Sequence, residues 1–209
     1  MNKEQLLSSL EGFAHPRVIS AMSHVPREIF LPEPIQSRAY DDTPLPIGRG
    51  QTISAPHMVA IMCTILDLQP GMNVLEVGGG SGYHAAVMGE LVSPGGHVYS
   101  VERLADLAEA ARSNLARAGA VNVTVIHSDG SLGLPEHAPY DRISVAATAP
   151  SIPEPLKQQL NAGGRMVIPV GEDYQELYLV TRKNGFSVER KMGVIFVPLI
   201  GKEGFKEKI

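Results

Sequence analysis

The sequence holds a single cysteine, Cys63, among 209 residues. No disulfide framework can form, and a reducing compartment is expected. It has no uninterrupted apolar run near the ~20 residues that cross a bilayer. Its first residues, Met1-Asn2-Lys3-Glu4-Gln5, carry charge where a secretory signal needs an apolar core. It is also poor in positive charge. Charged residues make up 19% and the formal net charge is −4, which is not the basic footprint of a nucleic-acid binder. Nor is it the Lys- and Glu-rich composition of hyperthermophile proteins. The seven histidines are scattered, without an H-x-x-x-H pattern or a Cys/His pair, so no metal site is expected. These absences point to a soluble, cytoplasmic protein with neither membrane nor nucleic acid as partner.

What is present suits one globular domain. The 44% hydrophobic content can build a sizeable core. Residues 1–50 read as an arm or cap. Two short helical patterns, Gln5–Leu10 and Pro16–Val25, lead into a stretch broken by Pro26, Pro32, Pro34, Pro44 and Pro46. Its Ile29, Phe30, Leu31, Leu45 and Ile47 need a surface to cover. From residue 54 strands and helices alternate. Helices are expected over Ser54–Leu68, Gly82–Leu91, Leu104–Ala118 and Pro153–Leu160. Strands are expected over Asn73–Val77, His97–Val101, Val121–Ile126, Tyr140–Ala146, Arg165–Val170, Leu177–Thr181 and Phe186–Phe196. Such alternation predicts a mostly parallel sheet covered by helices. No long helix separates the last two strands, so at least one should run antiparallel.

The sharpest local pattern is Val74-Leu-Glu-Val-Gly-Gly-Gly-Ser-Gly82, a strand entering a glycine turn that opens a helix. Glycines let a backbone approach a ligand closely, and a helix N-terminus offers free N–H groups. The spacing G-x-G-x-G at Gly78, Gly80 and Gly82 differs from the dinucleotide fingerprint G-x-G-x-x-G. Glu76 precedes the loop within the strand, as is common in S-adenosylmethionine enzymes, where a carboxylate offsets charge near the cofactor's amino acid part. Glu102 follows Gly82 by 20 positions at the end of the next strand. There it either bonds ribose hydroxyls or is a solvated residue opening a helix. Asp129-Gly130 is a turn that also faces the ligand crevice of this architecture, where Asp129 could hold an adenine amino group.

Further segments give the chain a family resemblance. Leu45-Pro-Ile-Gly-Arg-Gly-Gln-Thr-Ile-Ser-Ala-Pro-His-Met58, Leu75-Glu-Val-Gly-Gly-Gly-Ser-Gly-Tyr83, Pro139-Tyr-Asp-Arg-Ile143, Gly163-Gly-Arg-Met-Val-Ile-Pro-Val-Gly171 and Phe196-Val-Pro-Leu-Ile-Gly201 resemble segments of protein-L-isoaspartate O-methyltransferases, as do Val25-Pro-Arg-Glu-Ile-Phe30 and Arg38-Ala-Tyr40. The resemblance implies a Rossmann-like S-adenosylmethionine methyltransferase fold: a mostly parallel sheet with an antiparallel C-terminal strand and an N-terminal helical arm. It implies methyl transfer from S-adenosylmethionine to the free carboxylate of isoaspartyl residues in damaged proteins, by a monomer, and repair through a succinimide. Carried over by position, Ser54 lies near the methyl acceptor, and Thr52 and Ile53 line the substrate pocket. Glu76, Gly78, Gly80, Glu102, Asp129 and Gly130 contact the cofactor. Relatives often carry threonine or serine where this chain has Gly79, which should loosen the loop. Ala146-Ala-Thr-Ala-Pro150 is a variant of the family's small-residue loop.

The chemistry suits the residue types. A carboxylate is already ionised at neutral pH, so methyl transfer needs alignment and water exclusion but neither a base nor a metal. Ser54 has two readings at this level: N-cap of the helix that follows, or hydrogen-bond donor to the acceptor. His57 is either a first-turn surface residue or a pocket wall. Three other functions compete: a methyltransferase for RNA or a small molecule, a nicotinamide-dependent oxidoreductase, and a binding module that has lost catalysis. The glycine spacing, the acidic balance and the intact Gln51–Ser54 segment speak against them.

Overall fold

The computed structural model describes residues 1–207. The arm opens with α1 (Lys3–Leu10), where Asn2 and Gln5 form a reciprocal capping box. Next comes α2 (Pro16–His24), with proline in its first turn. The proline-rich stretch folds into two short 3-10 segments, Arg27–Phe30 and Glu33–Arg38. It ends in an unanticipated hairpin of β1 (Leu45–Gly48) and β2 (Gln51–Ile53).

The body follows as α3 (Pro56–Leu66), β3 (Asn73–Val77), α4 (Tyr83–Val92), β4 (His97–Glu102), α5 (Ala105–Ala118), β5 (Val123–His127), β6 (Tyr140–Val145), α6 (Glu154–Gln158), β7 (Leu160–Val170), β8 (Gln175–Arg182) and β9 (Phe186–Val194). The seven strands β3 to β9 form one sheet in the order β5-β4-β3-β6-β7-β8-β9. The first five in that order are parallel, and β8 and β9 each run antiparallel to the neighbour before them. Both closing strands are therefore reversed relative to their neighbour, where the sequence required only one. β7 starts five residues before the expected Arg165. Leu160 pairs with Tyr140 ahead of an irregularity that absorbs the Asn161–Gly164 segment.

Strand alternation sorts the core into two layers. Val74, Val98, Val125 and Val167 face one apolar cluster with residues of α2, α3, α4 and α5. Leu75, Val77, Val101, Ile143, Val145 and Ile168 face the other, with Leu156 of α6. A strand buried on both faces reads as a nearly continuous apolar run, which is why β3 was legible to the residue. Phe30, Leu31, Leu45 and Ile53 of the arm belong to the first cluster. The arm is thus part of the core's cover and not a linker.

The strand order reverses between β3 and β6. In open parallel sheets the crevice at such a switch point, beyond the strands' carboxyl ends, is where ligands bind.

Candidate active site

At that switch point the chain leaves a narrow cleft with about 110 Å³ of open space. Among its walls are Thr52, Ile53, Ser54, Glu76, Gly78, Gly80, Glu102 and Gly130. The sequence candidates therefore converge, with one exception. Asp129 is not a cleft wall. Its Oδ1 accepts the Ser131 N–H and hydroxyl, at 2.9 and 2.7 Å, and its Oδ2 accepts the Lys202 N–H at 2.8 Å. The side chain thus holds the turn and tethers the C-terminal segment, and Oδ2 keeps a free lone pair.

The loop after β3 has positive φ at Gly78, Gly80 and Gly82, values of 90°, 54° and 88°, a region that favours glycine. Glu102 braces the loop: its Oε2 accepts the Gly80 N–H at 2.9 Å and its Oε1 the Leu104 N–H at 2.8 Å. It is buried rather than solvated. Gly79 packs directly against Ser100. A Cβ there would run into the Ser100 hydroxyl, so in this chain glycine is what the serine behind the loop permits.

That serine leads to a buried polar chain the sequence did not reveal. The Ser100 hydroxyl donates to Glu76 Oε2. Glu76 is fully buried, and its Oε1 has no hydrogen-bond partner. His84 Nδ1 lies 3.7 Å from that oxygen, and His84 Nε2 lies 3.4 Å from Cys63 Sγ. Burial raises Glu76 to about 8, reinforced by Glu102 and opposed by the Ser100 hydrogen bond, and lowers His84 to about 4. Near pH 7 the pair is a neutral acid beside a neutral imidazole, not an ion pair. No sequence rule links positions 63, 76, 84 and 100; only the fold does.

The pH dependence follows. Glu76 binds its proton more tightly folded than unfolded, so its contribution to stability is full below about 4.5 and is lost as pH rises through about 8. His84 works oppositely, but only between about 4 and 6.5. From pH 6.5 to 8 the ligand-free protein should therefore lose on the order of 1–2 kcal/mol through Glu76 alone. Glu76→Gln, with the same shape and no charge, should flatten that slope in thermal unfolding. Parallel slopes for the two proteins would show that Glu76 is ionised already.

Ser54 is resolved against its local reading. The N-cap of α3 is Ala55, with no side-chain cap bond. The cap comes instead from the arm, where Asp42 Oδ1 accepts the His57 N–H at 2.9 Å and sits 2.9 Å from His57 Nδ1. A second groove opens beside the first, lined by Pro44, His57, Met58, Asp173–Glu176 and Met192–Phe196 among others. Thr52, Ser54, Ala146 and Val197 wall both. The Ser54 side chain thus stands where two cavities meet. Of the small-residue loop, Ala146 and Ala147 reach the cleft, while Thr148 and Ala149 bridge to Pro198 and Val170. Val197–Ile200 complete the cleft wall. The sequence flagged that segment as a motif without giving it a place.

Known proteins match this chain in sequence and in fold. A family model described as protein-L-isoaspartate(D-aspartate) O-methyltransferase matches residues 1–204. A protein-L-isoaspartate O-methyltransferase of Methanothrix thermoacetophila is 66% identical over 99% of both chains. A solved structure of a protein-L-isoaspartate O-methyltransferase superposes with a TM-score of 0.90 at 34% identity, covering 97% of this chain and 67% of the other. Another, described as a Plasmodium falciparum beta-aspartate methyltransferase in complex with S-adenosyl-L-homocysteine, gives 0.86 at 32% identity, covering 96% and 99%.

Proposed function

The chain belongs to the protein-L-isoaspartate(D-aspartate) O-methyltransferase family, and from that premise we propose how its residues divide the work. The activity is transfer of a methyl group from S-adenosylmethionine to the free carboxylate of L-isoaspartyl residues. The observation that carries our assignment is the junction of the two cavities at Thr52, Ser54, Ala146 and Val197. A transfer enzyme must hold donor and acceptor face to face, and a wall shared by two cavities provides that meeting point.

The cleft's residues fit the cofactor. Gly78, Gly79 and Gly80 add no side chains that would fill the space, and Glu76, a residue of the cleft lining, keeps a buried oxygen without a hydrogen-bond partner. Glu76 would take the cofactor's ammonium group, whose charge favours the ionised carboxylate. Glu102 keeps a lone pair on each oxygen for ribose hydroxyls beyond its two N–H partners. Gly78, Gly80 and Gly130 offer backbone to the ligand, and Asp129 acts at one remove by holding the segment that ends the cleft wall. When bound, S-adenosylmethionine supplies a methyl group activated by a sulfonium. The Ser54 hydroxyl donates a hydrogen bond to one acceptor oxygen and leaves the other free to attack. No base is required, because the acceptor is ionised near neutrality. Thr52, Ile53 and Ala146 hold the peptide backbone on either side. The ester so formed is a better acyl group than the carboxylate; attack by the neighbouring amide nitrogen, which gives up its proton, expels methanol and closes the succinimide, and water opens that ring in part to aspartate. In this reading the enzyme is a single-domain, cytoplasmic monomer that uses no nucleic acid, the last supported by its net charge of −4.

The test compares an isoaspartyl peptide with its aspartyl twin under single-turnover conditions. Methylation of the first at least about a hundredfold faster is expected, since a displaced carboxylate misses an in-line geometry that tolerates little error. Equal rates would overturn the assignment.

A further inference from the structure

The VPRE segment of the arm places a charged side chain where charges are rarely found. Arg27 is fully buried, with 0% of its surface exposed. Its Nε donates to the Ala39 carbonyl at 2.9 Å and its Nη2 to the Ser54 carbonyl at 2.7 Å. The guanidinium lies 4.7 Å from the centre of the Tyr83 ring, and Tyr83 is itself a wall of the cofactor cleft. Nη1 has no hydrogen-bond partner, and no carboxylate reaches ion-pair distance among the described residues. Burying a guanidinium without a counter-ion is costly. A purely structural brace between two carbonyls could have been built from neutral donors. What only arginine offers is a rigid planar fork whose donors hold two diverging carbonyls while its face stacks on an aromatic ring.

One of those carbonyls belongs to Ser54. Fixing it fixes the peptide plane between Ser54 and Ala55, and with it the direction in which the serine side chain leaves the backbone at the cavity junction. The other end of the bracket is the arm, and its floor is the cofactor cleft. We propose that Arg27 is a positioning residue for methyl transfer: it sets the Ser54 hydroxyl against the acceptor by holding the Ser54 carbonyl from behind, so that the arm takes part in the reaction without touching either substrate. This rests on the acceptor role given to Ser54.

Because the fork acts through Ser54, removing it should slow chemistry and leave the cofactor alone. Arg27→Met should lower kcat for an isoaspartyl peptide at least about tenfold, with KM for the peptide and affinity for S-adenosylhomocysteine changed by less than about threefold. The decisive variant is the double substitution with Ser54→Ala. If Arg27 works through the serine hydroxyl, the double variant is about as slow as the slower single one, since a mispositioned hydroxyl that is absent costs nothing more. A general loosening of the fold would instead multiply the two effects. Should Arg27→Met fail to fold, the same cycle is run with Arg27→Lys, which keeps the charge but reaches only one carbonyl and should slow turnover at least about threefold. Multiplicative effects, or a kcat within twofold of the parent for the variant that folds, would overturn the proposal. A silent Ser54→Ala beside a slow Arg27 variant overturns it as well, and marks the acceptor role of Ser54 as the step that failed. A parent protein that methylates neither peptide marks the failure as that of the activity itself.

Discussion

Glu102→Ala is expected to weaken binding of S-adenosylhomocysteine by roughly ten- to a hundredfold in calorimetry. Two losses combine. The carboxylate accepts the N–H groups of Gly80 and Leu104, which pins the glycine loop to the start of α5. It also walls the cleft, where we assign its remaining lone pairs to the ribose hydroxyls. A hydrogen bond to a charged group contributes about 1.5–3 kcal/mol, and every ~1.4 kcal/mol is tenfold in affinity. Glu102→Gln separates the two parts. Its amide retains one acceptor oxygen, so it can hold one of the two N–H groups, while its NH2 opposes the other. An affinity between those of parent and alanine variant is expected. If both variants bind as tightly as the parent, Glu102 is a loop brace that the ligand never senses.

How much of this could be read beforehand depended on how far apart the cooperating residues lie. β3 was expected over Asn73–Val77 and is found there, because a strand buried on both faces needs only an apolar run. The expected Leu104–Ala118 helix is α5, one residue shorter, since its apolar face recurs at helical spacing. The β1–β2 hairpin was invisible: its first strand is four residues long and contains Pro46, and its turn has positive φ at Gly48, Arg49 and Gly50. The start of β7 was hidden because Gly163 and Gly164 sit inside an irregular strand.

The site shows the same division. Gly78, Gly80, Glu102 and Gly130 lie at the carboxyl ends of three successive strands, β3, β4 and β5, and local rules found them. Ser54 was ambiguous because a local rule made it the cap of α3, a job that falls to Asp42, fifteen positions before His57. Asp129 was placed at the crevice by topology, yet it is not among the cleft walls, and its oxygens accept from Ser131 and from Lys202, 73 positions on. Cys63, His84 and Arg27 entered only through tertiary contacts. Residues whose partners are distant in sequence are where pattern reading ran out.

Ser54→Ala should lower kcat/KM for an isoaspartyl peptide by at least about tenfold while leaving S-adenosylhomocysteine affinity near that of the parent. The magnitude is the usual one for losing a single positioning hydrogen bond to a charged group. The asymmetry between the two ligands comes from geometry. Ser54 stands at the junction, whereas the contacts expected to fix the cofactor are at Glu76, the glycine loop and Glu102, which line the first cleft but not the second groove. The competing account of this residue was an N-cap, for which the alanine variant would lose about 1 kcal/mol of stability and keep full turnover. The structure removes that account's premise: Ala55 is the cap position, and Asp42 supplies the missing acceptor. The variant should therefore unfold within about a degree of the parent, because the serine hydroxyl makes no hydrogen bond that folding depends on and its backbone carbonyl, held by Arg27, is unchanged by the substitution. Thermal unfolding, calorimetry and single-turnover rate on one preparation read all three quantities. A variant that is as stable as the parent and transfers methyl at the parent's rate would leave the acceptor held by backbone and by Thr52 alone, and would end the assignment of Ser54 to the chemistry.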